Sequence, residues 1–430
     1  MLRAFGQAFR TPDLRRKILF SLLIMALYRL GVAIPTPGVS AKAINECLAL
    51  QSDASLLDMF NLFSGGALMQ LSIFALGIMP YITASIIIQV MRVAVPKLED
   101  LYKEGQAGQT KLTQYTRYLT IFLAVLQSTA MISMAASGNM FPACPQDVIP
   151  NASFATYLFM VLVMTAGTAV IMWFGELITE RGVGNGMSLL IFTSIVSTLP
   201  LNMIDIARTR GWMVFLAIVG IILVVTIVVV FVEQAQRRIP VQYAKRMVGR
   251  RTYGGTTTYI PLKINMAGVI PVIFSTSILA LPPMIAQFGD PLSPWVQWIQ
   301  RNFNSQSWPY ILVNALLVFA FAFFYTSITF NPDEVADNMK RYGGFIPGHR
   351  AGKPTAEYLR FVVNRLTAAG SLYLVLVTIT PTLLMMPLGL TQGQMPFGGT
   401  TLLIMVGVGL QTVKEINSQL QQHHYEGFLK

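Results

Sequence analysis

Between Met59 and Met91 the chain holds no Asp, Glu, Lys, Arg or His. As one straight helix these residues would run about 50 Å at about 1.5 Å per residue, against a hydrocarbon core of about 30 Å. A single spanning helix is therefore excluded. The run also contains its own break, because Ser64-Gly65-Gly66 is a poor helix interior, and Pro80 falls inside a part that has to stay largely helical. The expected arrangement is a short half-element followed by a true span. Irregular backbone survives at membrane depth only where protein or a water-filled cavity satisfies its polar groups. The segment is thus expected to line or stop a passage, and function is to be sought there first.

With 430 residues, 54% hydrophobic and 12% charged, the chain reads as a polytopic membrane protein. Ten helical spans are expected: Ile18–Ile34, Ile73–Val95, Tyr118–Ala136, Phe154–Phe174, Met187–Leu201, Trp212–Val232, Met266–Phe288, Tyr310–Phe330, Leu366–Pro387 and Thr400–Val413. A formal charge of +12 invites a nucleic-acid reading, but the bases are placed topologically. With a cytoplasmic N-terminus, all but five of the 31 Lys and Arg lie inside; Arg29, Lys42, Arg208, Arg210 and Arg301 are left outside. That is the positive-inside asymmetry, so both termini are expected in the cytoplasm and no cleaved signal peptide is expected. Ten spans split into two sets of five, at residues 1–211 and 212–430, which forces opposite orientations and an inverted repeat. The fifth span of each half is expected to be short and to follow glycines (Gly184 and Gly186; Gly398 and Gly399), a pointer to a site at the repeat interface.

Several chemistries are excluded. His349, His423 and His424 lie in a loop and the tail, so no metal-ligand cluster is expected within the membrane. Gly348-His349-Arg350-Ala351-Gly352-Lys353-Pro354 has one spacer too few for a phosphate cradle, and proline where a magnesium-binding hydroxyl belongs. No mid-span carboxylate offers an ion relay, and no ring of charge offers a selectivity filter. No cofactor and no catalytic residue is expected. Cys47 and Cys144 fall in different outer loops and are expected as unpaired thiols.

Two inside loops, residues 233–263 and 331–365, are too long and too basic to be connectors. Arg237, Arg238, Lys245 and Arg246 sit among β-branched and aromatic residues in the first, and Arg350 follows a Gly-Pro-rich stretch in the second. This mixture points to a docking surface for an RNA-rich or acidic partner as well as for anionic lipid.

The strings FNLFSGGAL, SIFALGIMPYITASIIIQ, QYTRYLT, GELITERGVGNGMSLLIF, QRRIPVQYAKR, IPLKINMAGVIPVIF, FNPDEVADNMKRYGGFIPGHR and GGTTLLI closely resemble the SecY family over nearly the whole chain. The resemblance implies an all-α membrane fold with ten transmembrane helices in two inverted five-helix halves around a central pore. It implies a re-entrant plug half-helix at about 55–72, carrying Phe60, Asn61, Phe63, Ser64, Gly65 and Gly66. A pore ring falls on Ile78, Ile82, Met187, Ile191, Ile273 and Ile404, and a lateral gate on Thr83, Gln127, Thr276 and Leu281. The implied partners are SecE-like and SecG-like membrane subunits, the SecA motor ATPase, the ribosome, the signal sequences of preproteins, and membrane lipid. The implied activity is a passive, non-enzymatic channel in a bacterial inner membrane that passes unfolded preproteins and releases apolar helices sideways. The ring also makes physical sense by itself. Ile78 and Ile82, and Met187 and Ile191, are each four apart and so share a helix face, and a narrow apolar constriction excludes water when empty.

Overall fold

The computed structural model describes residues 9, 11–50, 61, 64–136, 138, 148–150, 153–243, 246–248, 251–253, 257–286, 293–303, 307–385 and 398–426. Its helices in chain order are α1 (Pro12–Val32), α2 (Ala41–Leu50), α3 (Met79–Ala94), α4 (Pro96–Lys103), α5 (Gln106–Ala136), α6 (Phe154–Arg181), α7 (Gly186–Arg210) and α8 (Trp212–Gln234). After strands β1 (Gln236–Tyr243), β2 (Arg246–Val248), β3 (Arg251–Tyr253) and β4 (Thr257–Lys263) come α9 (Ile270–Ala286), α10 (Pro294–Asn302), α11 (Trp308–Thr329) and α12 (Pro332–Arg341). Strand β5 (Gly344–Phe345) and helices α13 (Lys353–Met385) and α14 (Gly399–Glu426) complete it. Among the described residues six helices are individually long and apolar enough to cross a membrane, or seven if α3 and α4, bent by 101° about Val95, count as one broken span.

Three sequence expectations need correction. The second span does not start at Ile73: residues 65–78 form successive turns, and regular helix begins at Met79 with Ile78 as its cap. Protein groups satisfy this backbone. Thr36 N–H donates to the Leu71 carbonyl (2.9 Å) and Ile73 N–H to the Ile34 carbonyl (3.0 Å), while Gly66, Ser72 and Gly77 close local turns. Ile82 N–H still bonds the Ile78 carbonyl (3.1 Å), so the four-residue relation between those two side chains survives. The fifth and tenth spans are not short, because α7 has 25 residues and α14 has 28; hydropathy marks where lipid contact stops, whereas the helix runs on through Asn202–Arg210 and Lys414–Glu426. Nor is Cys47 a free thiol. It is disulfide-bonded and buried beside Leu68, Met69 and Leu71, and the chain's one other cysteine, Cys144, lies outside the described residues.

Apolar packing divides the bundle. Val225 and Val229 of α8, Val272 of α9, Val318 of α11, Leu374 and Val377 of α13 and Leu402, Leu403 and Val406 of α14 build one core. Helices α1, α3, α6 and α7 build another. The all-helical expectation also omits a small sheet. β1 pairs antiparallel with β4 and, at its far end, with β5. Ile239, Val241 and Leu262 point inward from it onto Met339, Ile346, Leu359, Val362 and Val363, so the sheet, α12 and the start of α13 share one core.

Helix α9 is tied to α11 by a buried polar pair. Ser275 Oγ donates to Asn314 Oδ1 at 2.7 Å, and both residues are shielded from solvent. An interhelical hydrogen bond of this kind contributes about 1 kcal/mol within a membrane bundle. Asn314→Ala is therefore expected to cost about that much, and Ser275→Ala in the same background to cost nothing further. Denaturant unfolding of the four variants in detergent measures the coupling, and strictly additive losses would exclude a bond that moves the two helices together.

Candidate functional site

The six ring residues come from four elements that are distant in sequence. Ile78 and Ile82 stand at the start of α3, Met187 and Ile191 in the first two turns of α7, Ile273 in the first turn of α9 and Ile404 in the second turn of α14. All six belong to one apolar cluster: Ile78, Ile191 and Ile404 are buried, and Ile82, Met187 and Ile273 pack against it half-buried. The second half contributes Ile404 and Val408 of α14 to the buried members, with Val269 and Ile273 packed against them.

Against the half-buried members lies a cavity of about 410 Å³, lined by Ile82, Met187, Ile191, Ile270, Ile273 and Phe274 on its apolar part. Its polar part is made by the middle of α3, the last turns of α6 and the early turns of α5, through Ser85, Gln89, Thr113, Arg117, Glu176, Thr179 and Glu180. The shape is a polar funnel with an apolar floor. Within it Arg117 Nε and Nη2 donate to the two carboxylate oxygens of Glu176, each at 2.8 Å. A bidentate pair of this sort fixes orientation as well as charge, and it ties α5 to α6 along the funnel wall. The string QYTRYLT marks Arg117, but its partner, fifty-nine residues on, is visible only in the fold.

The segment expected as the plug joins the same cluster through Ala67. Phe60 and Phe63 lie outside the described residues. Asn61, Ser64, Gly65 and Gly66 make a tight elbow: Gly66 N–H donates to the Asn61 carbonyl (2.8 Å), Met69 N–H to Asn61 Oδ1 (3.1 Å) and Leu68 N–H to Ser64 Oγ (3.1 Å). Gly65 has φ +70°, and a Cβ there would stand 3.1 Å from Ser194 Cα and 3.2 Å from Arg29 Nη1, so both conformation and space require glycine.

The gate residues lie on three helices. Thr83 of α3 donates to the Met79 carbonyl (2.9 Å) and Thr276 of α9 to the Ile273 carbonyl (2.9 Å), so each hydroxyl is satisfied within its own helix. Gln127 of α5 is half-buried, and Leu281 of α9 is exposed. Helix α9 touches α3 over a much shorter stretch than it touches α11, which makes α3 and α9 a weak seam.

Among the docking residues, Arg237 and Arg238 are exposed on β1, opposite Leu262 and Pro261 of β4. Arg350 is exposed just before α13, where its carbonyl accepts from Thr355 Oγ1 at 2.7 Å; the adjacent His349 ring stacks on Tyr358 with centroids 4.2 Å apart. Arg246 lies in β2 and Lys245 outside the described residues. The two basic loops are thus presented from one shared core, which their separation in sequence does not reveal. Among the described residues no group of three or more His, Cys, Asp or Glu could hold a metal.

Lipid-length helices around a polar funnel with an apolar floor define a helical membrane protein of the channel type. The chain belongs to the SecY family, whose model matches residues 72–413. It is 57% identical to the protein translocase subunit SecY of Streptomyces scabiei and 53% identical to that of Mycobacterium tuberculosis, each over the whole of both chains. In fold it is similar to a solved protein-conducting channel, with TM-score 0.64 at 16% identity over 94% of this chain and 92% of that one. It is also similar to Sec61 in the canine ribosome-channel complex from the endoplasmic reticulum, with TM-score 0.59 at 14% identity over 94% and 92% of the two chains.

Proposed function

We propose that this chain is the channel subunit of a protein translocase, a passive conduit and not an enzyme. It would pass unfolded preproteins through the funnel and ring and release apolar segments sideways through the α3/α9 seam. The observation that carries this is the convergence of Ile78, Ile82, Met187, Ile191, Ile273 and Ile404 from four separate elements into the apolar cluster beneath the funnel. A ring of flexible apolar side chains can mould around any translocating residue and dewet when vacated, which suits a cargo selected neither by charge nor by shape. Met187 adds pliability, since an unbranched thioether refits readily.

In this reading α1, α9 and α14 join the more apolar helices to make ten spans, with Gly211 dividing two inverted halves. The charge asymmetry supports a funnel mouth, a sheet and both termini on the cytoplasmic side of a bacterial inner membrane. The segment 55–72 is the plug, and Thr83, Gln127, Thr276 and Leu281 border the lateral gate. The ribosome-bound neighbour supports the ribosome as a partner, and the family resemblance adds small SecE-like and SecG-like subunits and a SecA-like motor, with motor and ribosome docking on Arg237, Arg238 and Arg350.

The test is a stalled preprotein with photo-crosslinkers placed in turn at Ile78, Ile191 and Ile404. A translocating chain is expected to crosslink at all three within the membrane. Adducts at Leu216 or Phe231, on the exposed face of α8, with none at the ring positions would remove the conduit from this site.

A further inference from the structure

The elbow made by Asn61 and Ser64–Gly66 is held from outside itself. Tyr28, near the end of α1, is 1% exposed and its hydroxyl lies 3.4 Å from the Ser64 carbonyl and 2.7 Å from Ser194 Oγ of α7. Ser64 and Ser194 are each 1% exposed as well. The next residue, Arg29, donates from Nη1 to the Gly65 carbonyl at 2.6 Å. The Tyr28 ring is itself fixed, stacked on Phe74 at 5.8 Å with planes 10° apart, and Gly31 leaves Phe74 the room to lie across α1. Two adjacent side chains of α1 therefore grip two successive carbonyls of the elbow, and one of them also holds the helix that carries Ile191, one turn from Ser194.

The protons of this contact do not suffice for all of it. Tyr28 and Ser194 bring one O–H proton each, yet three contacts need one: Tyr28 to the Ser64 carbonyl, Tyr28 to Ser194, and Ser194 Oγ to the Leu190 carbonyl at 3.0 Å. When Tyr28 donates to Ser64, Ser194 has to donate to Tyr28 and its own helix carbonyl goes without that proton. When Ser194 donates to Leu190, Tyr28 donates to Ser194 and the elbow is released. Both states leave the two hydroxyls satisfied, so exchanging one for the other strands no buried donor.

We propose that Tyr28, Arg29 and Ser194 form a latch that holds the plug shut by its backbone and can let it go without stranding a buried hydroxyl. Displacement of the Ser64 carbonyl from Tyr28 turns the Tyr28 proton to Ser194, whose own proton passes to the Leu190 carbonyl, and Arg29 remains as the last tie on Gly65. Because the latch grips carbonyls, it works for any side chains at residues 64 and 65 that permit the elbow. The inference rests on reading this segment as the plug.

The test is potassium conductance per reconstituted channel across planar bilayers, in the complete complex without preprotein. Arg29→Gln is expected to raise resting conductance about tenfold and Tyr28→Phe about threefold to fivefold, the sizes set by losing one charge-assisted and one neutral hydrogen bond. Arg29→Lys, which can still donate to the carbonyl, should restore most of the seal. Tyr28→Phe keeps the ring stack on Phe74, so its channel content in membranes should match the parent. In a background lacking residues 55–66 neither substitution should add leak. Variants as tight as the parent, beside a plug-deleted channel that leaks, would overturn the latch, as would equal added leak in the deleted background. A plug-deleted channel that stays tight would overturn the plug reading itself.

Discussion

Ile404→Asn is expected to leave the channel in the membrane at near-normal abundance and to raise its resting ion conductance about ten- to hundredfold. Ile404 is fully buried in the cluster that contains Ile78 and Ile191, and it reaches that cluster from the opposite half of the chain. Asparagine has nearly the same size, but its amide can hydrogen-bond water at the narrowest point, and a wetted constriction loses much of its barrier. The stated range corresponds to about 1.4 to 2.7 kcal/mol on that barrier, within what one or two hydrogen bonds contribute. Preproteins with defective signal sequences should also pass, more so when Ser64–Gly66 are deleted as well. If Ile404 belonged to an ordinary core, the same amide would instead find no water and cost folding stability. Quantified protein level beside bilayer conductance separates the two, and scarce protein without leak would remove Ile404 from the seal.

Arg350→Glu is expected to abolish most motor-driven export while leaving insertion and abundance unchanged. The side chain is exposed on a loop whose backbone is fixed by the Thr355 bond and by the His349–Tyr358 stack, so it is presented and not packed. Exposed charges contribute little to stability, within about 0.5 kcal/mol. An arginine anchoring an interface is worth about 2 kcal/mol or more, so docking should weaken about thirtyfold, and reversal of charge adds repulsion from an acidic partner. Export by reconstituted vesicles supplied with the motor and ATP reads this directly. A wild-type rate there would end the docking role.

What the chain's residues disclose in advance differs by kind of interaction. Long uncharged runs had to be helices in lipid, and Ser64-Gly65-Gly66 had to interrupt one of them, because both follow from backbone hydrogen bonding within a few residues. The ring positions rest on four-residue spacing and on the family resemblance, and the fold adds that all six meet in one apolar cluster. The grip of Tyr28 and Arg29 on the elbow is not legible in the sequence, since it joins residues thirty-six apart, and Ser194 lies 166 residues from Tyr28. Arg29 looked like a topological marker at a span end, and its hydrogen bond to Gly65 is invisible to charge counting. The run-on of α7 and α14 into polar sequence was missed because the apolar window stops at the membrane edge while helical hydrogen bonding does not. Cys47 was misjudged because spacing in two loops says nothing about which cysteines the fold brings together.

Helix α13 begins in the core that it shares with the sheet, through Leu359, Val362 and Val363, and ends among the second-half helices, through Leu374 and Val377. It is unbroken over 33 residues, about 50 Å at about 1.5 Å per residue, and Arg350 sits just before its first turn. The sheet with Arg350 and the packing around α14 are thus the two ends of one long helix. Under the proposed docking, a partner leaning on Arg350 does more than find an address: it would apply torque at the root of that helix, and the far end, beside the helix that carries Ile404, would have to yield or push back.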